Sequence, residues 1–251
     1  MGFEAAIGMF CAMLLVAAIV GGTALRAEDL NSLTPQEQAD GWQLLFDGKS
    51  VAGWRGHGRE DFPTNGWKVE DGCLRTFGVG EEMGSRGGDL VTTRKFVDFE
   101  LSFDWKISPG GNSGVKYFVV EPEKGRSGLG FEYQILDDDK NPDGQRGPTH
   151  QAGALYDLIG PGDAKSLKPV GAFNQSLLIV RGNHVEHWLN GAKIVEAEIS
   201  SEAMNATIAK SKYRNIKNFG RKGPTVILLQ EHGSDVWFRN LKIRPLANVS
   251  N

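Results

Sequence analysis

The stretch Phe99-Glu100-Leu101-Ser102-Phe103-Asp104-Trp105-Lys106-Ile107 decides the fold class. Every odd position is aliphatic or aromatic, and every even position is charged or carries a hydroxyl. Successive side chains of a strand point to opposite faces, so this pattern predicts a long strand buried on one side and wet on the other. A helix would repeat its apolar positions every three or four residues instead.

Similar strand signals lie on both sides. Trp67–Glu70 and Cys73–Thr76 flank Asp71-Gly72, and His184–Leu189 and Lys193–Val195 flank Asn190-Gly191. Such dipeptides favour the positive φ values that tight hairpins need. Further strands are expected at Trp42–Phe46, Gly114–Val120, Phe131–Leu136, Ser176–Arg181, Thr225–His232 and Val236–Ile243. Helix is expected at only two places. Thr34-Pro35-Gln36-Glu37 reads as a capped start with proline in the first turn, and Ser201–Ser211 supports a second short helix. Many short strands without alternating helices imply an all-β sandwich or jelly roll and exclude a parallel α/β sheet. The 33 glycines among 251 residues agree with a turn-rich chain.

Ile7–Ala24 is almost wholly apolar or small, and Arg26-Ala27-Glu28-Asp29 ends it. Residues 1–27 therefore read as a secretory signal, or as an anchor if uncleaved, because the n-region has no Lys or Arg. Residues 28–39 form a short linker and helix start, and 40–246 one domain. The expected location is periplasmic or extracellular, with membrane contact only through residues 7–24. A net charge of −3 provides no footprint for nucleic acid. Cys11 lies in the apolar run, and its removal leaves Cys73 alone as a small buried residue without a disulfide partner.

Several phrases occur in a distinctive order: Leu45-Phe46-Asp47-Gly48-Lys49 with Gly53-Trp54; Gly111-Asn112-Ser113-Gly114; Glu132-Tyr133-Gln134-Ile135-Leu136-Asp137; Gly153-Ala154-Leu155-Tyr156; Glu186-His187-Trp188-Leu189-Asn190-Gly191; Leu229-Gln230-Glu231-His232-Gly233; and Val236-Trp237-Phe238-Arg239-Asn240. Together they resemble the 3-keto-disaccharide hydrolase domain family over residues 40–246. The resemblance implies a two-sheet, concanavalin A-like jelly roll and action on glycosides whose sugar is oxidised at C3.

Alternation places Glu132 and Gln134 on one strand face. Asp137 joins them only if a β-bulge inserts an extra residue. The pattern is similar to the three-carboxylate strand of retaining β-glucanases, with Gln134 in place of the middle acid. Retaining hydrolysis needs two carboxyls about 5–5.5 Å apart, so the amide disfavours it. A 3-keto sugar needs less: one base for the acidified C2 hydrogen, an electrophile at the C3 oxygen and a proton donor for the leaving group. Glu132 is the expected base and His232 the acid or electrophile, with Gln134 beside them. Lys116, Asp137, Tyr156, Gln230, Ser113 and His150 are the expected substrate contacts; Lys116 shares parity with both Gly114 and Phe118, which leaves its face open. The sequence specifies no cofactor, and a divalent metal is a candidate electrophile, with Glu132, Glu231 and His232 as ligands. A non-catalytic carbohydrate-binding module and a conventional retaining β-glucanase remain the alternatives.

Other motifs read more plainly. Asp139-x-Asn141-x-Asp143-Gly144 matches half of a calcium loop, but His150 occupies the twelfth position and a polar loop is expected. Lys210-Ser211-Lys212 reads as a solvated basic cluster, and Glu186-His187-Trp188 as a packed hairpin. Trp54 and Trp67 fit either sugar stacking or burial.

Overall fold

In a computed structural model of the chain, residues 30–77, 87–120 and 128–247 are described. The signal or anchor read at residues 1–27 lies outside them. Among the described residues no helix is long and apolar enough to cross a membrane.

The strand predicted from alternation forms as Phe99–Ile107 and pairs on both edges. In chain order the strands are β1 (Gln43–Leu44), β2 (Trp54–Gly56), β3 (Trp67–Glu70), β4 (Cys73–Thr76), β5 (Leu90–Thr92), β6 (Phe99–Ile107), β7 (Asn112–Val120), β8 (Leu129–Leu136), β9 (Asn174–Arg181), β10 (His184–Leu189), β11 (Ala192–Glu198), β12 (Leu228–Leu229) and β13 (Val236–Pro245). They build two antiparallel sheets. One runs β11-β10-β9-β6-β13-β4-β3, with β1 also paired to β13, and the other runs β2-β5-β12-β7-β8. This is the all-β, two-sheet sandwich expected from the sequence. Among the described residues two short helices complete it, α1 (Pro35–Ala39), with the Thr34/Glu37 capping box, and α2 (Glu202–Ile208), capped by Ser201.

Three expectations shift. Only Gln43–Leu44 of Trp42–Phe46, and only Leu228–Leu229 of Thr225–His232, are paired as strand. The short β2 and β5 carry too few residues to show alternation, so periodicity missed them.

The core lies between the sheets. Phe99, Leu101, Phe103 and Trp105 of β6 face Val115 and Tyr117 of β7 and Phe131, Tyr133 and Ile135 of β8, all buried. Each fully buried side chain of this size contributes roughly 1.5–3 kcal/mol. Polar clamps cross the interior. The Trp105 indole N–H donates to Ser176 Oγ (2.9 Å), Ser176 donates to Tyr133 Oη (2.9 Å), and the Tyr117 hydroxyl meets His187 Nε2 (3.1 Å). Trp54 and Trp67 are buried, their indole N–H groups donating to Leu45 O and Gly88 O. Burial is thus the answer for both tryptophans.

A bulge in β7 settles the face of Lys116. Phe118 has φ +49°, and the register with β8 shifts between Tyr117 and Val120. An extra residue turns the strand, which sends Phe118 into the core and leaves Lys116 on the outer face with Gly114.

Candidate active site

The outer face of the five-stranded sheet is a grid whose rows follow from the register. Val91, Leu228, Lys116 and Glu132 form one row across β5, β12, β7 and β8. One step along, Gln230 N–H donates to Gly114 O and Gly114 pairs with Gln134. The row through Glu132 extends past the sheet. Residues 153–156 run along the free edge of β8, with Gln134 N–H donating to Ala154 O, Gly153 N–H to Gln134 O and Tyr156 N–H to Glu132 O. Tyr156 therefore stands beside Glu132, although the two are far apart in sequence.

These rows floor a cavity of about 430 Å³ lined by Asn112, Glu132, Gln134, Asn141, Pro142, Asp143, Arg146, Tyr156, Lys212, Gln230 and His232. Glu132 is only 4% exposed, and its Oε2 lies 3.7 Å from Lys116 Nζ, itself buried. Gly114 makes room for this carboxylate: a Cβ there would fall 2.8 Å from Glu132 Cγ. The Gln134 amide is buried, its Oε1 accepting from Ile135 N–H (3.2 Å). Gln230 presents a buried Oε1 without a hydrogen-bond partner, and His232 is exposed at the rim.

The opposite wall comes from the connection between β8 and β9, which contains 3-10 turns at Pro142–Arg146 and Pro148–His150. The Tyr156 hydroxyl donates to Asp143 Oδ2 (2.6 Å), and Arg146 donates to Asp143 Oδ1 (2.8 Å). Burial works against the Asp143 carboxylate, but these two donors outweigh it and hold its pKa below the ordinary value. Burial, and then the bond to Asp143, push the Tyr156 phenol well above its ordinary pKa. It is a proton-bearing hydroxyl at any working pH.

Of the residues expected from sequence, Glu132, Gln134, Tyr156, Gln230 and His232 line the cavity, and Lys116 supports it from the adjoining strand. Asp137 does not join them. β8 runs in register from Glu132 to Leu136 without a bulge, and the Asp137 carboxylate accepts from the N–H groups of Gly110, Asp139 and Lys140. It organises a turn. Ser113 shares the inward parity of Val115, and its hydroxyl donates to Gln230 O (2.8 Å). His150 is buried behind the wall, its ring edge-on to Tyr156 with centroids 5.0 Å apart and its Nε2 3.2 Å from Asp157. Both shape the site from outside the cavity.

Glu231 turns to its own loop, Oε1 accepting from Gly233 N–H (2.6 Å). The ligand atoms of Glu132, Glu231 and His232 do not gather within 4.8 Å of one another. Among the described residues, the His/Cys/Asp/Glu group that does is His184, Glu186 and Glu196 on the other sheet, where Lys193 already bridges Glu186 and Glu196.

Sequence reasoning missed Asp143, Asn141, Arg146, Asn112, Lys212 and Asp89. The first two stand in the calcium-like phrase, whose alternate oxygens were the available signal. Lys212, read as a solvated cation, instead reaches the cavity mouth. Asp89, just before β5, is buried; its Oδ1 accepts from Glu231 N–H (3.0 Å) and its Oδ2 has no hydrogen-bond partner. Burial raises its pKa, with Lys116 opposing.

Comparison with known proteins agrees with the sequence resemblance. The profile described as the 3-keto-alpha-glucoside-1,2-lyase-like domain matches residues 41–244. A 3-keto-disaccharide hydrolase of Bacteroides thetaiotaomicron is 35% identical over 88% of this chain and 84% of its own. A candidate glycosyl hydrolase of Parabacteroides distasonis, known from a crystal structure, is 34% identical, with a TM-score of 0.76 over 87% of this chain and 100% of its own. A second Parabacteroides distasonis structure matches at 27% identity, with a TM-score of 0.58 over 82% of this chain and 99% of its own. On these grounds the chain belongs to the 3-keto-alpha-glucoside-1,2-lyase-like domain family, to which the 3-keto-disaccharide hydrolase resemblance pointed.

Proposed function

We propose that this chain is an exported hydrolase that cleaves the glycosidic bond of 3-keto-glycosides by abstraction of the C2 proton, elimination and hydration. The observation that carries this reading is Glu132: a buried carboxylate beside Lys116, lying over Gly114 and opening into a polar cavity rimmed by proton-bearing groups. Glu132 takes the C2 proton, and His232 or Tyr156 protonates the departing oxygen. Gln134, Asn112 and Gln230 supply neutral hydrogen-bonding groups suited to sugar hydroxyls. The named activity of the Bacteroides relative supports the same reading, and the apolar stretch 7–24 supports export.

Conventional retaining hydrolysis is less well supported. It needs a second free carboxyl close to the first. Gln134 stands on the strand where one is expected, and the Asp143 carboxylate is occupied by Tyr156 and Arg146. A pure binding module is also less well supported, because both tryptophans offered by the sequence as stacking platforms are buried.

The test is incubation of a 3-keto-glucoside and its unoxidised parent side by side, with and without chelator. Cleavage of the keto compound alone is expected. Reducing sugar released from the parent would transfer the assignment to a conventional glycosidase, and binding without cleavage would reduce it to a lectin. Loss of turnover with chelator would add a metal to the site.

A further inference from the structure

Lys212 is held unlike the other cations of the cavity. Lys116 pairs with Glu132, and Arg146 with Asp143. The Lys212 ammonium instead lies over the Tyr156 ring, 3.8 Å from its centroid, with Tyr213 at 5.0 Å. Its backbone is fixed from below, where its N–H donates to Asp157 Oδ2 (2.7 Å). Glu132, Asp143 and Asp157 face it as charges, with Lys116 opposing, yet among the described residues no carboxylate stands within ion-pair distance of Nζ. A cation seated on an aromatic face at a cavity mouth, without a counter-ion, is completed by a negative oxygen arriving in that cavity.

We propose that Lys212 is the catalytic cation that receives the C3 oxygen of a bound 3-keto sugar and carries its negative charge in the enolate. This rests on the 3-keto-glycoside reading and supplies the electrophile which that reading requires. Glu132 takes the C2 proton, the C–H electron pair becomes the C2=C3 bond, and the carbonyl pair moves onto oxygen against Lys212. The pair then returns: C3=O reforms, C1=C2 forms, and the C1–O bond breaks with its electrons on the aglycone oxygen, which is protonated from His232 or Tyr156. Water adds across C1=C2, hydroxyl to C1 and proton to C2. Lys212 stays protonated throughout, and no oxidant or reductant is needed. Desolvation at the cavity mouth lowers its pKa, with Glu132 opposing, so the cation is lost at a lower pH than for a solvated lysine.

Two signals from methyl 3-keto-glucoside in heavy water test this: deuterium entry at C2 and release of methanol. The full chain should give both. Lys212→Met should lose both by about a hundredfold or more in kcat while KM moves little, as expected for a group that acts on charge formed in the transition state. Lys212→Arg should retain part of the rate and move the alkaline limb of the pH profile upward. Among the described residues the Lys212 ammonium makes no ion pair that its variants would break, so they should retain a cooperative melting transition. Wild-type turnover combined with an undiminished Lys212→Met, a defect confined to KM, or an unmoved alkaline limb in Lys212→Arg would overturn the inference alone. A wild-type chain giving neither signal would overturn the 3-keto reading and the inference together.

Discussion

The outer faces of the two sheets both carry charge, but they treat it in opposite ways. On the eight-stranded sheet the carboxylates are matched by direct hydrogen bonds from cations, even where they are buried, as Glu100 and Asp104 are. Arg244 donates to Glu100, Arg239 to Asp104, Arg75 to Glu70 and Asp235, and Lys193 bridges Glu186 and Glu196. On the five-stranded sheet the charges are fewer, buried and less closely matched. Glu132 and Lys116 are paired at the longer distance of 3.7 Å, while Asp89 Oδ2 and Gln230 Oε1 have no hydrogen-bond partner at all. A buried polar atom left unmatched costs roughly 1–3 kcal/mol. The eight-stranded face also leaves one such atom, Arg75 Nε, but on a guanidinium whose other two nitrogens are paired. A face that combines a loosely held ion pair with two unmatched oxygens is arranged for something other than stability, and the difference separates a site from a solubilising surface.

Four experiments break or sharpen this contrast. The largest effect is expected for Glu132→Gln, which should lower kcat/KM on a 3-keto-glucoside by about 10²–10⁴-fold, the usual contribution of a general base; the transition should stay cooperative but move to lower temperature, because the buried Lys116 loses its carboxylate. Undiminished turnover would leave the five-stranded face as a binding surface. Lys116→Met leaves the buried Glu132 carboxylate without its cation, and equilibrium urea unfolding should show a loss of about 3–5 kcal/mol. Between the faces, His187 is fully buried, and desolvation lowers its pKa to about 4, with the bond to Gly153 O opposing. The unfolded chain takes up this proton near the ordinary value of 6.5 and the folded chain does not, so stability is full above pH 6.5. It should fall by up to about 3 kcal/mol as the pH drops from 6.5 towards 4, and His187→Gln should flatten that slope in denaturant titrations at several pH values. The smallest effect is expected at Arg181, which is exposed and 3.6 Å from a Glu100 that keeps Arg244. Arg181→Ala should change stability by about 1 kcal/mol or less and leave turnover alone.

The two faces also differed in how much the sequence revealed. Period-two alternation identified β6 and the hairpin turns placed β3–β4 and β10–β11, because these features are local. The same alternation put Glu132 and Gln134 together. It could not reveal Tyr156 beside Glu132, since that neighbour comes from a segment added along a sheet edge. Nor could it turn Lys116 outward, because the bulge at Phe118 interrupts the parity by which faces are counted. Asp137 failed for a related reason: strand parity says nothing about a carboxylate that has already entered a turn. Lys212 and Asp143 reach the cavity from loops, whose spacing records no distance across the fold.

The run of residues 153–156 along β8 has a further effect. An open strand edge offers unmatched amide and carbonyl groups to any passing chain, and proteins cover such edges to avoid sticking to one another. Here the cover is the segment that bears Tyr156, so the bonds that hold the phenol in place also shield the edge from self-association. A change that loosened this run would expose a template for aggregation while dismantling one wall of the cavity, and a loss of activity arising there should be accompanied by a loss of solubility.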